Sequence, residues 1–239
     1  MKVYQIPLAS ISSTGPALFA TFKPYGDDRY GVSVATGFVD FSTGRESIVT
    51  APGPGRPPEV KVFAFPLLKP MATASQSSAP AAETDQPVNT TSFVPFGKDY
   101  RGGASLATGW LAGALGGAKR IIVSQLADSG SVKVFSSGSA LDGGPSLYLQ
   151  SPLHHGHGAN FREIAGFTPF DGTAGARVAT TSTTTGANLL VSGVAAGGSE
   201  ASVLKYEFVR PTQSRTLEAV LLGPVWSGKG SQPPILGGD

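Results

Sequence analysis

Apolar residues along this chain fall into short runs, each bounded by Gly, Pro, Ser or Asp. Val60-Lys61-Val62-Phe63 alternates apolar and polar positions, the period of a strand with one packed face. Ser47-Ile48-Val49-Thr50 and Ile121-Ile122-Val123-Ser124 are β-branched runs of similar length. None holds the length or the 3.6-residue period of an amphipathic helix. The pattern predicts an all-β chain of short strands.

The runs repeat in order. Gly31-Val32-Ser33-Val34-Ala35-Thr36-Gly37 returns as Gly103-Ala104-Ser105-Leu106-Ala107-Thr108-Gly109 and as Gly175-Ala176-Arg177-Val178-Ala179-Thr180-Thr181, each copy 72 residues after the last. Before each copy stands an aromatic-x-Pro-aromatic tetrad, Phe22 to Tyr25, Phe93 to Phe96 and Phe167 to Phe170. After each copy come a β-branched run and then Val60 to Phe63, Val132 to Phe135, or Val203 to Tyr206. A fourth strand is predicted to carry the next tetrad, around 90–96 and 163–167.

Four short antiparallel strands per unit predict a β-propeller-like repeat of four-stranded antiparallel blades. The small residues of the glycine motif let inner strands approach closely. A sandwich built from three hairpin units is the competing arrangement. The units span about 22–92, 93–166 and 167–222 of a single domain, 1–239. Lys2-Val3-Tyr4-Gln5-Ile6-Pro7 resembles the third run of a unit, giving three visible blades plus a half unit. Propellers usually close with four or more blades. The count therefore points to a homo-oligomer that completes the propeller, a longer chain, or a blade assembled from both termini. Segment 67–88, rich in Pro, Ala, Ser and Thr, reads as a flexible insertion, and 223–239 as a polar tail. Ser146 to Gln150 offers a further strand.

Composition narrows the classes. Its 32 glycines and 19 prolines in 239 residues exceed the usual share of roughly 12%, without a collagen period. Charged residues are 14% and the net charge is +2, too weak a field for gripping a phosphate backbone, so no nucleic-acid partner is expected. The chain lacks cysteine, which excludes disulfides, thiol nucleophiles and thiolate metal sites. No run approaches the 20 or so apolar residues of a transmembrane segment, and Met1 to Pro7 does not read as a signal peptide. The expected location is extracellular or cell surface if a segment absent from this chain exports it, and cytoplasmic otherwise.

The ordered set of tetrad, Gly-x-x-Val-Ala-x-Gly, Ile-Val-Thr and Val-Lys-Val-Phe resembles the FG-GAP or VCBS-type repeat of integrin-alpha-like and bacterial surface β-propellers. Gly31 to Phe65 carries the best copy. The resemblance implies an extracellular binding or adhesion role. Members commonly hold calcium in an Asp-x-Asp-x-Asp-Gly loop, but here the matching stretch is Phe38-Val39-Asp40-Phe41-Ser42-Thr43-Gly44, and the later copies have no carboxylate. Calcium wants six to eight oxygens, several from carboxylates. The loops are degenerate, and no cofactor is expected.

Candidate chemistry is sparse. Asp27, Asp28 and Arg29, with Lys98, Asp99 and Arg101 in the second unit, occupy matching loops that would lie at one rim. Trp110 adds an aromatic platform for a ligand, or a core side chain. His154, His155 and His157 have a spacing that suits a nitrogen-ligated ion, though their Gly-rich setting equally suits a surface loop. No Gly-x-Ser-x-Gly elbow or phosphate-binding Gly-rich loop occurs. The expectation is a noncatalytic module that recognises protein or glycan through its rim loops. A glycan-cleaving or lyase-type enzyme using rim acids, and a structural module of a larger envelope protein or assembly, are the alternatives.

Overall fold

Gly, Pro and Ser punctuate the β-branched runs so closely that each run becomes one strand of an up-and-down meander. The computed structural model describes residues 1–5, 17–40, 45–65, 86–111, 119–137, 160–170, 175–184, 186–194, 200–211 and 216–229. Strands β1 (Lys2–Gln5) and β2 (Ala17–Thr21) pair as a two-stranded sheet. The first four-stranded sheet holds β3 (Val32–Gly37), β4 (Ser47–Pro52), β5 (Val60–Ala64) and β6 (Val88–Phe93). A second holds β7 (Ala104–Gly109), β8 (Arg120–Gln125), β9 (Val132–Ser137) and β10 (Phe161–Phe167). The third holds β11 (Ala176–Thr183), β12 (Gly186–Val194), β13 (Glu200–Val209) and β14 (Glu218–Lys229). All pairs are antiparallel and sequential.

The three larger sheets pack face to face, with the second between the others. Successive side chains of a strand point to opposite faces. In β8, Ile121 and Val123 join Val49, Ala51 and Val62 of the first sheet in one core cluster. Ile122 joins Val178, Leu189 and Val191 of the third sheet in another. That double burial is why β8 reads as an unbroken apolar run. Arg120 at its start is also fully buried, and burial together with the nearby Arg210 charge pushes its guanidinium down to about 10.

Equivalent contacts recur between sheets. Phe22 meets Phe63 at 5.0 Å, Phe93 meets Phe135 at 4.6 Å, and Phe167 meets Tyr206 at 4.7 Å between ring centroids. The first aromatic of each tetrad thus packs on the third strand of a four-stranded sheet. The Leu106 amide donates to Ser33 Oγ at 3.0 Å, and the Val178 amide donates to Ser105 Oγ at 3.3 Å. These bonds align β3, β7 and β11 side by side in one direction.

The β-propeller-like arrangement of three blades plus a half unit expected from the repeat is not what forms. Four separate antiparallel sheets are present among the described residues, and none is closed or curled into a ring. The inner-strand side chains show why. Ala104 and Leu106 of β7, and Ala176 and Val178 of β11, are buried against the preceding sheet. Their counterparts Val32 and Val34 of β3 are 42% and 45% exposed, so β3 has no such cover among the described residues.

β14 runs through Gly223 and Pro224 to Lys229, seven residues past Leu222. Its pairing with β13 shifts register between Val203 and Leu204 and again between Lys205 and Tyr206. Pro is tolerated there because β14 is an edge strand, and the irregularities absorb the break. Most of the insertion read at 67–88 lies outside the described residues, although Val88 opens β6. Ser146 to Gln150 and His154, His155 and His157 also lie outside them. Among the described residues, no helix is long and apolar enough to cross a membrane.

Candidate ligand-binding face

Gly31, Gly103 and Gly175 precede β3, β7 and β11 with φ of 76°, 79° and 73°, a left-handed conformation that favours glycine. They gather the loops of all three sheets at one end. A Cβ on Gly103 would lie 2.7 Å from the Pro54 nitrogen, and one on Gly175 would lie 2.1 Å from the Leu126 carbonyl oxygen. The Gly55 amide donates to the Arg101 carbonyl at 2.8 Å, tying the β4–β5 turn to the loop before β7.

Asp27, Asp28, Arg29, Lys98, Asp99 and Arg101 all stand on loops at this end with exposed side chains. Trp110 follows Gly109 at the opposite end of β7, half exposed, with Lys119 Nζ 5.4 Å from its ring centroid. Lys119 also lies 3.7 Å from Glu46. Asp40, the other carboxylate of that turn, is buried. Among the described residues, no three His, Asp or Glu side chains gather as a metal site.

The loop 22–31 is tightly organised. Asp27 pairs with Lys23, and Asp28 pairs with Arg56, which also lies 3.6 Å from Glu59. Arg56 and Lys61 lie 5.0 and 5.1 Å from the centre of the Tyr25 ring. The Tyr25 hydroxyl donates to the Glu59 carbonyl at 2.7 Å and lies 3.1 Å from Thr50 Oγ1. Burial pushes that phenol well above its ordinary range, ahead of a Thr50 hydrogen bond that lowers it. It therefore stays neutral and holds the loop in place.

Tyr30 was not among the residues singled out from the motifs, and it dominates the surface here. Its side chain is 51% exposed. Its ring occupies the space beside Gly55, where a Cβ would lie 2.4 Å from Cε1. Two open depressions flank it. One, of about 280 Å³, is lined by Lys23, Tyr25, Asp27, Asp28 and Tyr30 among others. The other, of about 240 Å³, is lined by Tyr30, Ser33, Gly53, Ser105, Leu126 and Arg177 among others. Tyr30, Gly31 and Val32 belong to both and form the ridge between them. The repeat itself held the signal for the second depression, since Ser33, Ser105 and Arg177 occupy one column 72 residues apart.

No known family model, curated protein or solved structure matches this chain. The FG-GAP or VCBS membership implied by the motifs is corrected on that ground and on the unclosed sheets. Gly-x-x-Val-Ala and Val-Lys-Val-Phe are signals that any meander with close inner strands demands, and they do not single out a family.

Proposed function

We propose that this chain is a noncatalytic binding module that recognises glycan at the Tyr30 face. The observation that carries the reading is the exposed Tyr30 ring, fixed beside Gly55 between two open depressions. A sugar ring offers a C–H face to an aromatic platform and hydroxyls to carboxylates and serines around it. Asp27 and Asp28 are each held by a cation, which suits fixed hydrogen-bond acceptors better than an acid/base pair in which one carboxyl must carry a proton. Rigid sheets behind the loops reduce the ordering cost of binding. Calorimetric titration of a panel of neutral and acidic oligosaccharides tests the reading. Tyr30→Ala is expected to weaken binding by tenfold or more with the thermal transition unchanged. Absence of binding by the wild-type chain, or equal binding by the variant, would sink it.

A structural module of a larger assembly is the second reading, and β14 favours it. Val220, Leu221, Leu222, Val225 and Trp226 are between 41% and 59% exposed on this edge strand. Long apolar edges invite strand addition. Sedimentation of Leu222→Lys against the wild-type chain separates the two: a concentration-dependent assembly that the lysine abolishes supports it, and a monomer in both cases counts against it.

A further inference from the structure

We infer that the depression lined by Ser33, Ser105 and Arg177 binds the carboxylate or sulfate of an acidic glycan. The inference rests on the glycan-binding reading and names the chemical class of its ligand.

Side-by-side alignment of β3, β7 and β11 brings three equivalent positions to one depression. Two are serines. Ser33 Oγ accepts the Leu106 amide, and Ser105 Oγ accepts the Val178 amide. Each hydroxyl uses a lone pair in this way and keeps its own proton for a third group. The third position is Arg177, whose side chain is exposed and makes no ion pair among the described residues. Its fork of N–H donors matches a carboxylate or sulfate through paired, charge-assisted hydrogen bonds. Among the described residues no acidic side chain lines this depression; Asp27 and Asp28 lie in the other one, across the Tyr30 ridge, already paired with Lys23 and Arg56. The Arg177 lobe therefore presents donors and a positive charge, while the other holds carboxylates alongside cations. At about 240 Å³ the donor lobe falls below the roughly 300 to 1,000 Å³ of drug-sized pockets, a size for one sugar unit with its charged group.

Three trisaccharides of one backbone test this by calorimetry at fixed ionic strength: a uronate-terminated one, its carboxyl-reduced counterpart, and one sulfated at the same position. At least one acidic sugar is expected to bind the wild-type chain about tenfold tighter than the neutral one. Arg177→Gln is expected to erase that advantage, and Arg177→Lys to restore part of it. A gain for the uronate alone identifies a carboxylate site; a gain for the sulfated sugar alone identifies a sulfate site. Equal wild-type affinity for acidic and neutral sugars overturns the inference and leaves the glycan reading standing. Failure of all three to bind overturns both. Arg177-dependent capture of a Glu-rich peptide, with no sugar bound, also overturns both and assigns the depression to protein.

Discussion

Thr180 donates its hydroxyl to the carbonyl of Thr108 at 2.8 Å, across the boundary between the second and third sheets. Thr108 in turn donates to the carbonyl of Thr36 in the first sheet, and both steps span 72 residues of chain. A strand's carbonyls normally serve its own sheet, so these side-chain donors join separate sheets, the second and third of which share the isolated bridge between Leu111 and Ala187. Thr180→Val keeps the volume and removes the donor. An intramolecular hydrogen bond contributes about 1 kcal/mol net, so a loss of that size is expected for Thr180→Val and for Thr108→Val alike. Urea unfolding with an unchanged slope checks it. No shift in midpoint for either variant would show that the bonds only accompany the packing.

The aromatic pairs that join tetrad to third strand give a larger effect. Phe135 is 6% exposed, meets Phe93 at 4.6 Å, and belongs to the cluster between the first and second sheets. Phe135→Ala is expected to cost about 3 to 5 kcal/mol, against much less for Phe135→Leu, which refills most of the space. Comparable losses from the two variants in a denaturant titration would mean that ring geometry, not volume, sets the contact.

The strands themselves were legible because each is a short β-branched or alternating run between turn residues. Val60-Lys61-Val62-Phe63 and Val132-Lys133-Val134-Phe135 become β5 and β9 almost residue for residue. What the runs do not encode is how the sheets end. Val32 and Ala104 occupy the same place in the repeat, yet one is 42% exposed and the other buried, a difference set by the neighbouring sheet. Gly223 and Pro224 look like a stop in sequence, while an irregular edge strand passes through them. The candidate face was half legible. Charged loop residues marked the end of the sheets, but Tyr30 gains its role from Gly55, a residue on a different turn. Arg177 gains its role from two serines on other strands.

Gly175 separates backbone conformation from crowding. Its φ of 73° alone costs an L side chain roughly 1 to 2 kcal/mol, and a Cβ there would also strike the Leu126 carbonyl. Gly97 has a φ of 82° with nothing within 4 Å of the same added atom. Gly97→Ala is therefore expected to lose only the conformational part, and Gly175→Ala clearly more. Thermal and urea unfolding of the two variants compares them directly. Equal losses would mean that the loop around Leu126 yields, and that the sheets are not locked at this end.

Alkaline pH should expose the buried phenols. Burial raises Tyr25 above its ordinary value of 10.0, and Tyr100 and Tyr206 are raised by burial too. An unfolded tyrosine loses its proton near pH 10 while the folded one keeps it. Above that point the unfolded chain binds fewer protons, so stability falls as pH rises; below it these groups contribute no slope. Each tyrosine adds about 1.4 kcal/mol per pH unit while only its unfolded form is ionised. Tyr25→Phe is less stable at neutral pH, because the Glu59 carbonyl and Thr50 lose their partner. Its decline above pH 10 is shallower by one proton, since the ionisable group is gone. The stability curves of wild type and variant should therefore converge between pH 10 and 11 in guanidinium titrations. A gap that stays constant across that range would mean that Tyr25 reaches solvent in the folded chain, and that loop 22–31 is not fixed beneath the Tyr30 ridge.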